Sequence, residues 1–146
     1  MMDPTSLPEG AWITVDTAPI IYLLEDHPAL LSPYLPFFER IEAGHLHGVV
    51  SSVTLAELLR GPLQKGDEIL ADRYYHTLVS STNWHIQEMD ASLSFTAARI
   101  RCRYGLKLPD AIQVATGIHS NSSTLLTHDR NFGNITEIPI MSAHSE

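Results

Sequence analysis

Four acids in this chain of 146 residues lie beside apolar runs rather than in the polar stretches where most surface carboxylates occur. Asp16 ends the run Trp12-Ile13-Thr14-Val15, and Asp129 comes two residues after the apolar part of Leu125-Leu126-Thr127. Glu57 is flanked by Leu55, Ala56, Leu58 and Leu59, and Asp110 follows Pro109 at the head of another apolar stretch. Taken singly, most of them have an ordinary role. Asp16 and Asp129 suit helix N-caps, and Asp110 suits the positive end of a helix dipole. Glu57 is the exception, because a charge among apolar neighbours needs a partner. Gathered on one rim, the four would repel each other and raise each other's pKa unless a cation neutralised them. Mg²⁺ and Mn²⁺ take oxygen ligands and keep waters on an open face. Such a site suits phosphodiester hydrolysis: the ion polarises a phosphate oxygen and activates water. It also reverses the local sign of charge, so an acidic pocket can receive an anionic backbone.

The elements that would position these acids alternate along the chain. Strands are expected at 11–16, 47–51, 84–89, 124–127 and 138–141. Helices are expected at 17–24, at 28–43 (interrupted by Pro33 and Pro36 and closed by Gly44), and at 53–60, stopping at Gly61-Pro62. Further helices are expected at 67–78, 91–104 with Gly105 as its stop, and 109–118, the last apolar nearly all round and hence buried. Strands separated by helices predict an α/β fold with a mainly parallel sheet covered on both faces. In that architecture sites form beyond the carboxyl ends of the strands, where strand order reverses. Asp16 and Asp129 end strands, while Glu57 and Asp110 sit in first turns of helices, so all four can reach one rim.

Composition narrows the partners. The length fits one domain over 11–142, with a flexible leader at 1–10 and a tail at 143–146. One cysteine, Cys102, cannot close an internal disulfide, which fits a reducing compartment. The first ten residues lack the basic start and apolar run of a signal peptide, and no stretch has the length of a membrane span, so a cytoplasmic protein is expected. A net charge of −8 argues against a general nucleic-acid binder but not against an enzyme that meets nucleic acid through cations. Arg99, Arg101, Arg103 and Lys107 gather just before Asp110; Arg99, Arg103 and Lys107 are the candidates for guiding phosphates, against the plainer reading of a solvated face. The eight histidines show no metal-ligand spacing, and there is no glycine-rich phosphate loop. An aspartyl-nucleophile phosphatase would need a second acid two residues after Asp16, where Ala18 stands. A binding module without turnover is the other alternative.

The segments Val15-Asp16-Thr17, Thr54-Leu55-Ala56-Glu57-Leu58, Ala97-Ala98-Arg99, Leu108-Pro109-Asp110-Ala111 and Thr127-His128-Asp129-Arg130-Asn131-Phe132 together resemble the PIN domain family, particularly the VapC-type toxins of bacterial toxin–antitoxin pairs. The resemblance runs from Ile13 to Met141. It implies a three-layer α/β/α fold, often dimeric, and a Mg²⁺- or Mn²⁺-dependent endoribonuclease held inactive by an antitoxin. It places Asp16, Glu57, Asp110 and Asp129 in the family's acidic quartet and makes Thr127 the hydroxyl that supports the fourth acid. Asn131 stands where many relatives have an acid and is given a supporting role. A homodimer is expected, with the Leu- and Phe-rich stretch Pro28 to Ile41 as its apolar surface.

Overall fold

A computed structural model describes residues 2–144. Five strands form one sheet in the order β3-β2-β1-β4-β5: β1 (Ala11–Val15), β2 (Leu46–Ser51), β3 (Trp84–Gln87), β4 (Thr124–Thr127) and β5 (Ile140–Ser142). All four pairings are parallel. The chain moves outward from β1 in both directions, so the order reverses at β1, the place where such sheets form their sites beyond the carboxyl ends of the strands.

The alternation of side chains splits the core between the two faces. Ile13, Val15, Val50 and Leu126 pack with Ile20, Phe37, Phe38 and Ile41 from α1 (Thr17–Leu24) and α2 (Leu35–Glu42). On the other face, Leu125 packs with Ile100, Ala111, Val114, Phe132 and Ile138. There α5 (Ala91–Tyr104) and α6 (Leu108–His119) lie against each other, and α6 is buried from Ala111 to Gly117. Helices α3 (Ser52–Gln64) and α4 (Glu68–Val79) form a further packed pair. The expected α/β/α layering is the observed one.

Several boundaries differ from expectation, each for a local reason. Only Leu35–Glu42 of the 28–43 stretch is helical, since Pro33 disfavours the helical conformation before it; Pro36 falls in the first turn, where no N–H is missed. Helix α3 does not stop at Gly61-Pro62 but runs on to Gln64, with the Pro62 ring buried in its last turn. Strand β5 starts after Pro139, and Ile138 turns into the core. The leader is packed rather than loose: Asp3 caps a short 3-10 turn at Pro4–Ser6, Leu7 is buried, and the Gly10 amide donates to the His45 carbonyl at 2.8 Å. Ala143 packs on the first core cluster, while 145–146 lie outside the described residues. The stretch 28–41 is not a free apolar surface, because Leu31, Tyr34, Phe37, Phe38 and Ile41 are all buried.

Candidate active site

Asp16 leaves β1 and caps α1, its Oδ1 accepting from the Thr17 amide at 2.8 Å. Its other oxygen, Oδ2, accepts from the Thr127 hydroxyl at 2.7 Å. That same hydroxyl accepts from the Asp129 amide at 3.0 Å. One side chain at the end of β4 therefore holds the Asp16 carboxylate and the backbone from which Asp129 projects. Asp129 Oδ1 accepts from the Asn131 amide at 2.9 Å, which tightens the turn that follows. Asp16 takes the N-cap role expected of it, whereas no helix follows Asp129, whose carboxylate closes a turn instead.

The helix-borne acids come to the same place. Thr17 Oγ1 lies 3.1 Å from Glu57 Oε1, to which it donates, and 3.3 Å from Thr54 Oγ1. Glu57 is exposed, contrary to the apolar setting its neighbours suggested, because Thr54 and Leu58 turn inward while Ala56 and Glu57 face out. Asp110 occupies the first turn of α6 and is half-buried. Burial raises its carboxyl to about 6, and the negative charges of Asp129, Asp16 and Glu57 push the same way against Lys107. Burial also raises Asp16, opposed by its hydrogen bonds from Thr127 and Thr17. Among the described residues no three His, Cys, Asp or Glu side chains are grouped to hold a metal ion unaided.

The oxygen-only donor set fits a hard divalent cation. So does the electrostatics: negative charge accumulates around Asp110 with a single opposing lysine. An ion here would be held partly through water, as Mg²⁺ usually is.

Gln113 was not singled out from the sequence. It lies one turn after Asp110, is buried, and donates from Nε2 to Thr54 Oγ1 at 2.6 Å. Its Oε1 is buried without a partner. Its signal was a lone amide in an otherwise apolar helix. The basic candidates separate. Arg99 lies over the Phe95 ring, 5.2 Å from its centre, and Arg103 Nη1 pairs with Glu137 Oε2 at 2.5 Å. Lys107 lines a cavity of about 360 Å³ together with Asp110 and Asn131. His128 bonds through Nδ1 to the Tyr34 hydroxyl at 2.5 Å.

The model of the family described as PIN domain matches residues 13–138. Among solved structures, VapBC2 from Rickettsia felis bound to a DNA fragment from their promoter aligns with TM-score 0.70 and 19% identity, covering 90% of this chain and 98% of that one. A toxin–antitoxin complex from Klebsiella pneumoniae gives 0.68 and 23%, covering 89% and 96%. VapC20 from Mycobacterium tuberculosis, a sarcin-ricin loop cleaving toxin, gives 0.65 and 18%, covering 87% and 98%. At these identities the structural likeness bears on the fold. No curated protein matches the chain.

Proposed function

The chain belongs to the PIN domain family, and from that premise we propose that it is a Mg²⁺- or Mn²⁺-dependent endoribonuclease, the toxin of a toxin–antitoxin pair. The observation that carries this reading is the gathering of four acids: Thr127 links the Asp16 carboxylate to the Asp129 amide, Thr17 at the same turn donates to Glu57, and burial with the charges of Asp129, Asp16 and Glu57 raises the Asp110 carboxyl. A protein accumulates such repulsion where a cation or a proton is part of the function. Asp16, Asp110 and Asp129 would hold the ion, directly or through water. Glu57, the most exposed of the four, would orient the attacking water and accept its proton. Thr127 keeps Asp16 and Asp129 in register, and Asn131 supports Asp129 through the turn. When bound, the ion supplies Lewis acidity towards the phosphate and towards water.

The partners follow from the same reading. Two of the solved relatives are toxin–antitoxin assemblies, which supports an antitoxin here. A groove of about 540 Å³ lined by Leu23, Leu24, Leu35 and Trp84, and by Glu39, Glu42 and Arg73 as well, would suit an amphipathic antitoxin segment. A homodimer in the cytoplasm completes the proposal; no helix among the described residues is long and apolar enough to cross a membrane. The test is RNA cleavage by purified protein in Mn²⁺. Asp16→Asn and Asp110→Asn are each expected to lower kcat/KM by more than roughly 100-fold, beyond what changes outside the direct ligands usually cost. Equal cleavage by the variants would sink the assignment.

A further inference from the structure

We infer that the cleft between the α5–α6 turn and the loop after β4 is a base-recognition subsite, taking the unpaired RNA base next to the cleaved phosphate. The inference rests on the nuclease reading and extends it to specificity. Two adjoining cavities, of about 360 Å³ and 260 Å³, share Tyr104, Leu106 and Asn131. The first also contains Asp110 and Lys107; the second continues past Asn134. The first falls at the small end of ligand pockets, which run from roughly 300 to 1,000 Å³, and the second extends it. A nucleotide whose phosphate lies at Asp110 has this space beside it.

Both walls are held in place. Gly105, at φ 69, makes the left-handed turn that ends α5 and leads the chain back into α6. The Tyr104 hydroxyl donates to Glu137 Oε1 at 2.5 Å, and Arg103 pairs with the same carboxylate, so the turn is tied to the facing loop. That loop is fixed at its start by the Asn131 amide on Asp129. Such a cleft is formed before any ligand arrives, which lowers the cost of binding.

The chemistry of the lining suits a base. Tyr104 and Leu106 are half-buried against the second core cluster and offer apolar surface at one wall. Tyr104 is anchored at its hydroxyl, so its ring can serve as a stacking surface without losing much freedom. Asn131 and Asn134 are exposed and offer amides with a donor and an acceptor side by side, the pattern that reads a base edge. Lys107 is the cation on the Asp110 side, placed for the adjoining phosphate.

The test has two arms. End-resolved cleavage of a random single-stranded RNA pool in Mn²⁺ compares wild type with Asn131→Ala and Lys107→Ala. Fluorescence anisotropy, in the Asp110→Asn background, measures binding of labelled RNA pentamers that carry each base at the central position. The expected result is that Asn131→Ala flattens the base preference beside the cut and weakens the preferred pentamer by about tenfold, the value of one good base-edge contact. Lys107→Ala is expected to weaken all pentamers alike. If wild type cuts and Asn131→Ala leaves the base preference unchanged, the subsite is wrong while the nuclease reading stands. Absent cleavage with base-selective binding that Asn131→Ala removes would keep the subsite and overturn the nuclease. Absent cleavage without such selectivity overturns both.

Discussion

The Thr127 hydroxyl uses its one proton on Asp16 Oδ2 and its lone pair on the Asp129 amide. Replacing it with valine keeps the shape and removes both contacts. Thr127→Val is expected to lower Mn²⁺ affinity by about 10- to 100-fold, as changes behind metal ligands do, when measured by calorimetric titration. It should also lower the unfolding free energy by about 1–3 kcal/mol, since the Asp129 N–H loses its partner. Unchanged affinity would show that the two acids do not act together. Asp110 gives a pH signature. Its folded pKa of about 6 lies above the ordinary aspartate value of 3.8, so between those values the folded state binds more protons than the unfolded one. This group's contribution to stability is therefore greatest below about pH 4 and is lost as pH rises through about 6. Asp110→Asn is expected to raise the melting temperature of metal-free protein at pH 7.5 by a few degrees, the shift that about 1 kcal/mol gives in a domain of this size. It should also flatten the pH dependence between 4 and 6.

Helix α6 joins the site to the core, and its two ends show different kinds of constraint. At its start, Pro109 and Asp110 occupy a first turn where a proline costs nothing and an acid is favoured. Near its end, Gly117 lies so close to β1 and to the loop before β5 that an added Cβ would meet the Ile138 side chain and approach Thr14 Oγ1 at 3.4 Å. Gly117→Ala is expected to destabilise the fold by about 1–3 kcal/mol despite alanine's better helix propensity, as urea unfolding would measure. A gain in stability would mean Ile138 moves aside freely. This asymmetry also explains what could be read in advance. Apolar periodicity and strand-end acids are local patterns, so the burial of α6 and the positions of Asp16 and Asp129 were legible. The close approach at Gly117, the partnership of Gln113 with Thr54 and the inward turn of Ile138 arise between elements far apart in sequence. Prolines misled in both directions: Pro33 shortened one expected helix, while Pro62 was tolerated near the end of another because its ring is buried.

Across the whole molecule, charge makes RNA binding conditional. A net charge of −8 repels a polyanion, and the basic residues expected near the site are mostly engaged within the protein. Arg103 is paired with Glu137 and Arg99 lies on Phe95, which leaves Lys107 beside Asp110 and Arg130 next to Asp129. Few phosphates can then be neutralised by side chains. For single strands the logarithm of the binding constant falls with the logarithm of salt by about 0.7 per phosphate neutralised. With one or two such contacts, the slope is expected to be about −1 in excess Mn²⁺, measured on uncleaved RNA by anisotropy in the Asp16→Asn protein across a range of KCl. Lys107→Ala should reduce it further, whereas Arg103→Ala should act on loop stability instead. A slope near −4 would mean that basic surface away from the acids carries the RNA, and the route of the strand past Asp110 would have to be redrawn.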